Sequence, residues 1–121
     1  EQYYVHHHQT DNNLVLEGDR TFTLLNPLWD EPHHIVYLRR CMGALTIPIG
    51  TFHRSISGKN GSIVINQAIR DTKFEPSQEF DPISIEKRQV LQKAKSIEPI
   101  IWFWKNGEIQ RMKDSLFLKV A

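Results

Sequence analysis

The sequence predicts an all-β domain, an antiparallel double-sheet jelly roll or barrel, with a short C-terminal helical segment and a tryptophan-rich hairpin. Three observations carry that prediction. The first two thirds of the chain break into segments of strand length bounded by glycine, proline, asparagine and aspartate. Pro48-Ile49-Gly50 forms a corner that ends one such segment and restarts another at Phe52-His53. Helical spacing of apolar residues appears in one stretch, Ile83 to Ser96, and nowhere before it.

In order, Tyr4 to His8 reads as a strand, and the polar run Gln9-Thr10-Asp11-Asn12-Asn13 as the turn after it. Leu14 to Glu17 and Thr21 to Leu25 follow, separated by Gly18-Asp19. Asn26-Pro27 and Asp30-Glu31-Pro32 frame a loop around Trp29, and Ile35 to Arg40 is a β-branched strand punctuated by Gly43. Leu45 to Ile47 precedes the corner and Phe52 to Ile56 follows it. Ser57-Gly58-Lys59-Asn60-Gly61 reads as a hairpin turn into Ser62 to Gln67, whose Ile63-Val64-Ile65 suits a central strand. Asp71 to Pro82 is a proline-bearing loop. Ile85, Val90, Leu91 and Ala94 give the helix its apolar side, and Pro99 closes it. Ile100 to Trp104 and Glu108 to Met112 flank a Lys105-Asn106-Gly107 turn, and Leu116 to Val120 is a last apolar segment.

The 121 residues fit one domain spanning 1-121, since single domains commonly run about 100 to 150 residues. The chain begins without methionine, so the reading allows further residues upstream. With 40% apolar residues, 24% charged residues and a net charge of +1, composition points to no nucleic-acid partner. No apolar run approaches the roughly 18 residues of a membrane span, which predicts no membrane partner. Cys41 is the only cysteine. It excludes an intrachain disulfide, favours a reducing, cytoplasmic setting, and reads as a buried structural thiol.

A barrel interior makes inward polar residues the candidates for chemistry. Alternation along a strand places His6 and His8 on one face and His7 on the other. His53, at the strand start after the corner, is the third histidine that could join them. Imidazole nitrogens suit Fe(II), Zn(II), Ni(II) or Cu(II), and Asp11 or Glu17 could supply a carboxylate. The competing reading leaves the trio solvent-exposed or hydrogen-bonded near a frayed chain start. His33 and His34, beside Pro32, read as surface or dimer-contact residues. Glu79 flanks Phe80, which would anchor its loop and leave the acids free to act. Tyr37, Arg54, Gln67 and Arg70 are further residues that alternation could aim inward, and an arginine there would suit a carboxylate or phosphate. Trp102 and Trp104 share a face that suits a core or a subunit interface.

Gly43, Ala44-Leu45-Thr46-Ile47, then Pro48-Ile49-Gly50-Thr51-Phe52-His53 resembles the second signature of the cupin superfamily, one residue short between Gly43 and Pro48 and with Ser57 where asparagine is usual. The first signature is matched more loosely by His6-His7-His8, Asp11 and Gly18, with fewer residues than usual between the histidine pair and the acid; the usual spacing would nominate Val5 and His7, or Tyr4 and His6. The resemblance covers residues 4 to 67 and looks most like the sugar-nucleotide epimerase and isomerase-like branch. It implies a cupin jelly roll, with His6, His8, His53 and Asp11 holding a divalent metal (Fe, Zn, Ni or Mn). For the epimerase branch it implies no metal, with a histidine base at His6 or His8; Tyr37 and Arg54 are then the candidates to protonate or to stabilise an enolate oxygen.

The expected function is a small cupin-like enzyme of isomerase or epimerase type, acting on a polar, sugar-like or carboxylated small molecule. Alternatives are a non-catalytic ligand-binding or sensory cupin, a metal-dependent dioxygenase, and a structural dimerisation module. Because an open jelly roll must protect its edges, a homodimer through a sheet edge or swapped strand is expected.

Overall fold

The computed structural model describes residues 1–120. Two long strands dominate it: β2 (Gln9–Leu25, 17 residues) and β5 (Phe52–Arg70, 19 residues). They pair antiparallel from Gln9↔Arg70 to Leu25↔Phe52, with register shifts between Val15 and Glu17 and between Gly18 and Arg20. The other edge of β2 is shared, since β4 (Leu45–Ile47) lies opposite Asp11 to Asn13 and β3 (His33–Arg39) opposite Asp19 to Leu25. Beyond β3 come β7 (Ile100–Lys105) and β8 (Glu108–Lys113). A separate short pair joins β1 (Gln2–Tyr3) to β6 (Ile83–Ser84). Helices α1 (Pro76–Glu79), α2 (Gln89–Ser96) and α3 (Asp114–Val120) complete the elements, with a 3-10 turn over Ile85–Lys87.

Strands of this length must bend, and bulges are how an antiparallel pair does so. The bend falls where the sequence places its glycines. Gly18 has φ +72, and a Cβ there would run into the carbonyl oxygen of Gly61, itself at φ +84. The sheet therefore curls into a half-barrel. This corrects two expected turns. Ser57 to Gly61 is no hairpin turn, because β5 runs through it and its glycines serve the bend. Gln9 to Asn13 is no turn either: Gln9, Asp11 and Asn13 are buried while Thr10 and Asn12 are half-exposed, the alternation of a strand whose inward side chains are polar.

The sheet is mixed rather than antiparallel throughout. The chain leaves β3, passes through β4, β5 and α2, and re-enters beside β3 in the same direction, so β7 is parallel to it (His34↔Ile100 to Val36↔Trp102). β7 and β8 then form an antiparallel hairpin carrying Trp102 and Trp104.

The concave wall holds one core: Val15, Phe22, Leu24, Val36, Leu38, Met42 and Ile47, with Leu45, Trp102 and Trp104 packed against it. A second core joins Tyr3, Leu25, Ile85, Leu91 and Ala94. Leu91 and Ala94 lie three residues apart on one side of α2, which is the side it buries. The expected helix over Ile83 to Ser96 thus starts later, after β6 and the 3-10 turn. Leu116 to Val120 lies in α3, where Phe117 packs edge-on to Phe103 at 4.9 Å. Cys41 is exposed instead of buried, because it occupies the left-handed turn position (φ 81) between β3 and β4 and the adjacent Met42 fills the core.

Gly18→Ala should destabilise far more than Gly43→Ala. Both substitutions meet the left-handed penalty of about 1–2 kcal/mol, but nothing lies within 4 Å of a Cβ at Gly43. Urea unfolding of the two variants checks this, and equal midpoints would remove the close approach at the bend.

Candidate metal centre

The polar end of the concave wall is assembled by two local devices. In the first, the turn Pro48 to Thr51 is closed by the Thr51 amide on the Pro48 carbonyl (3.2 Å), with Gly50 at φ +81 as such a turn requires. In the second, residues 4 to 6 are pinned alongside it: Tyr4 and His53 exchange both backbone bonds at 2.8 Å, and the Gly50 amide donates to the His6 carbonyl at 2.9 Å. The rings of His6 and His53 consequently lie 5.1 Å apart. β2 then brings Asp11 beneath them.

His6 Nε2 lies 3.2 Å from Asp11 Oδ2, and His53 Nε2 lies 3.8 Å from the same oxygen. Each ring is fixed from behind. His6 Nδ1 meets the Glu79 carbonyl at 2.9 Å and His53 Nδ1 meets the Thr51 carbonyl at 3.1 Å. A carbonyl only accepts, so each Nδ1 carries hydrogen and each Nε2 faces the carboxylate. The other carboxylate oxygen, Asp11 Oδ1, accepts from Gln9 Nε2 at 2.6 Å and Asn66 Nδ2 at 3.3 Å. Gln9 is oriented in turn by Arg70, whose Nε donates to Gln9 Oε1 at 2.8 Å while its guanidinium lies over Phe74. One ligand atom from each of His6, Asp11 and His53 lies within 4.8 Å of the others, so the three could hold a metal ion.

The hydrogen bond that His6 donates to Asp11 raises the pKa of His6 above its ordinary 6.5, against the opposing effect of burial. Burial alone would raise Asp11, but the bonds from His6, Gln9 and Asn66 together hold it below the usual carboxylate range. Burial lowers His53, outweighing its bond to Thr51. The two imidazoles are thus shifted in opposite directions, His6 toward holding its proton and His53 toward losing it.

The other expected site residues lie elsewhere. His8 turns away to Asp71 Oδ2 (2.9 Å), because the chain bends at His7 and His8 and strand alternation does not run through them. Tyr37 stands on the convex face opposite Thr21, stacked on Phe117 at 5.6 Å. Gln67 is also convex and accepts from Asn12. Arg54 reaches the cavity rim and bonds Glu1 at 2.7 Å. Glu79 is buried rather than free, its Oε2 accepting from the His7 amide at 3.0 Å, while Phe80 lies edge-on to His6. His33 is buried with Nδ1 against the Ile97 carbonyl. His34 is half-buried, its pKa lowered by burial, so neither is a surface residue.

The cluster opens on a cavity of about 510 Å³ whose lining mixes polar and apolar groups, among them Tyr4, Asn13, Arg20, Ser55 and Asn66. Arg20 is held in place by Ser55 (Nε to Oγ, 2.8 Å). Gln9, Arg20 and Asn66 went unread in the sequence. For Gln9 the signal was period-two alternation along Gln9, Asp11, Asn13 and Val15, visible once these residues are taken as one strand; Asn66 follows from its register opposite Asn13, and Arg20 from alternation with Phe22 and Leu24. A second cavity of about 260 Å³, between Leu38, Met42 and Trp102, is apolar. Its one histidine, His34, is engaged at both nitrogens, by Trp102 Nε1 at 3.0 Å and the Glu31 carbonyl at 2.7 Å.

Comparison with known proteins finds no protein-family model and no curated protein that matches this chain.

In metal-free protein, His6 should titrate above 6.5 and His53 below it, and Asp11→Asn should move His6 downward. A histidine raised in the folded state stabilises below its unfolded pKa, and that contribution fades as pH rises through the folded value. Proton–nitrogen NMR of the imidazoles checks both directions. Two histidines with indistinguishable titrations would refute the assignment.

Proposed function

We propose that this chain is a cupin-like half-barrel, part of a jelly-roll architecture, whose His6, Asp11 and His53 hold one divalent cation. In this reading the cavity takes a small polar, sugar-like or carboxylated molecule for isomerisation or epimerisation. One observation carries the proposal: two imidazoles are locked through Nδ1 to backbone carbonyls while both Nε2 atoms face one oxygen of a carboxylate whose other oxygen is already bonded. This is the outer support that metal-ligating histidines and carboxylates use. Two nitrogens and one oxygen suit Fe(II), Zn(II), Ni(II) or Mn(II). The position of His53 after Gly43 and the Pro48-Ile49-Gly50 corner supports the cupin resemblance, and His8 drops out of its ligand set.

A bound cation would supply Lewis-acid polarisation of a substrate oxygen. The chain's own groups do the rest. Arg20, steadied by Ser55, offers a planar cation for an anionic end of the substrate. Tyr4, at the rim, is the phenol on the cavity side, in the role for which Tyr37 is misplaced. Asn13 and Asn66 offer amides to hydroxyl groups.

A metal-free reading is favoured by the same His6–Asp11 pair. A histidine held by a carboxylate can act as a base beside a carbonyl, as the epimerase branch implies. Elemental analysis of protein purified without an affinity tag and repleted with Fe, Zn, Ni and Mn separates the two. About one equivalent is expected, retained in His8→Ala and lost in His53→Ala. Less than about 0.1 equivalent would sink the metal reading, and deuterium exchange next to the carbonyl of keto sugars, lost in His6→Gln, would then support the base.

Asn66→Ala should leave the chain folded and weaken metal binding by roughly 10–100-fold, the usual effect of losing an outer-shell partner. Competition titration against a chromophoric chelator measures it, and unchanged affinity would take Asn66 out of the site.

A further inference from the structure

β5 is paired on one side only. β2 takes its inner edge, and Tyr4 covers the start of the outer edge through its bridge to His53; from Ser55 to Ala68 no strand lies along it among the described residues. The Asp71 amide donates to the His8 carbonyl, and the register from Gln9↔Arg70 to Val15↔Val64 is unbroken. Alternation along an antiparallel ladder therefore turns the backbone groups of Val64, Asn66 and Ala68 outward.

Unprotected edges invite strand pairing, and proteins guard them with charge, proline or bulges. Between Asn60 and Ile69 this edge has neither charge nor proline. Its convex side instead shows Ile63, Ile65 and Ile69 at 53%, 52% and 55% exposure. β8, at the other end of the sheet, carries Glu108, Arg111 and Lys113. The contrast marks β5 as an edge meant to be covered.

We propose that a second copy of this chain covers it, β5 against β5, antiparallel about a two-fold axis at Ile65. That register matches the outward backbone groups, since Val64 meets the partner's Asn66 and Asn66 meets the partner's Val64. It sets Ile65 against the partner's Ile65 as a directly opposed pair with Cβ atoms about 4.5–5.5 Å apart. The pairing consumes both edges, so it closes as a dimer and does not propagate. It also places the partner's Val64 beside Asn66, the residue that bonds Asp11, so each cavity gains part of its wall from the other chain.

Light scattering and sedimentation should give the mass of two 14.2-kDa chains for the wild type. Ile65→Lys, which sets two lysines at the axis, and Ala68→Pro, which removes an outward amide, should each give monomers with native circular dichroism. In a Cys41→Ser background, mild oxidation of Ile65→Cys should yield a disulfide-linked dimer, and Ile109→Cys on β8 should not. A monomeric wild type overturns the proposal. So does a dimer that survives both substitutions, or one that links through Ile109→Cys, or that fails to link through Ile65→Cys. Should both substitutions unfold the chain, the cross-link decides.

Discussion

The antiparallel ladder between β2 and β5 is the interaction on which everything else in this molecule depends. It runs the full length of both strands, from Gln9↔Arg70 to Leu25↔Phe52. A flat pair that long would expose both faces and enclose nothing. Curling gives it an inside, and the curl comes from irregular register where Gly18 approaches Gly61. One half of β2 then contributes Asp11 and Asn13 to the polar end of the wall, while the other contributes Phe22 and Leu24 to the core.

How much of this was legible depends on the range of the cause. The Pro48 to Gly50 corner is local: a fixed φ, a tolerated positive φ and a single closing bond determine it, and His53 is delivered as read. The pairing of His6 with His8 was not local. It required an unbroken strand through His7, and the chain bends there because the His6 backbone is committed to Gly50 and the His8 carbonyl to Asp71. Polar residues from Gln9 to Asn13 were read as a turn because turns and cavity walls draw on the same amide and carboxylate side chains. Composition could not separate the two. The glycines near residue 60 misled for a similar reason, since positive φ serves a bulge inside a strand as readily as a hairpin.

The cluster at His6, Asp11 and His53 is an unusual place for three polar groups. His6 is 7% exposed and Asp11 is 4% exposed. Burying such groups is unfavourable unless every lone pair and proton finds a partner. Here the supports are abundant behind the cluster and sparse within it. Glu79, Thr51, Gln9 and Asn66 take up the rear atoms of all three residues, while the front atoms of His53 and Asp11 stand 3.8 Å apart, too far for a good hydrogen bond. His6 and Asp11 do close on each other at 3.2 Å, and one ligand atom from each of the three residues lies within 4.8 Å of the others, so the trio could hold a metal ion.

The concave wall also divides its chemistry along a single line. Moving along β2 by two residues changes the lining from Arg20, beside Ser55, to Phe22 and then Leu24, because alternate residues share a face. Across β4 the same step leads from Ile47, buried in the core, to Leu45 at the apolar cavity. The ridge of Phe22 and Ile47 thus separates a polar cavity from an apolar one. This separation matters to the electrostatics of the cluster. On the polar side of the ridge the hydrogen bond to Asp11 outweighs burial at His6, and both guanidiniums of the two linings, Arg20 and Arg54, stand there, whereas the apolar cavity has neither. The bend that makes the half-barrel therefore also gathers the charged groups of the wall on one side of that ridge.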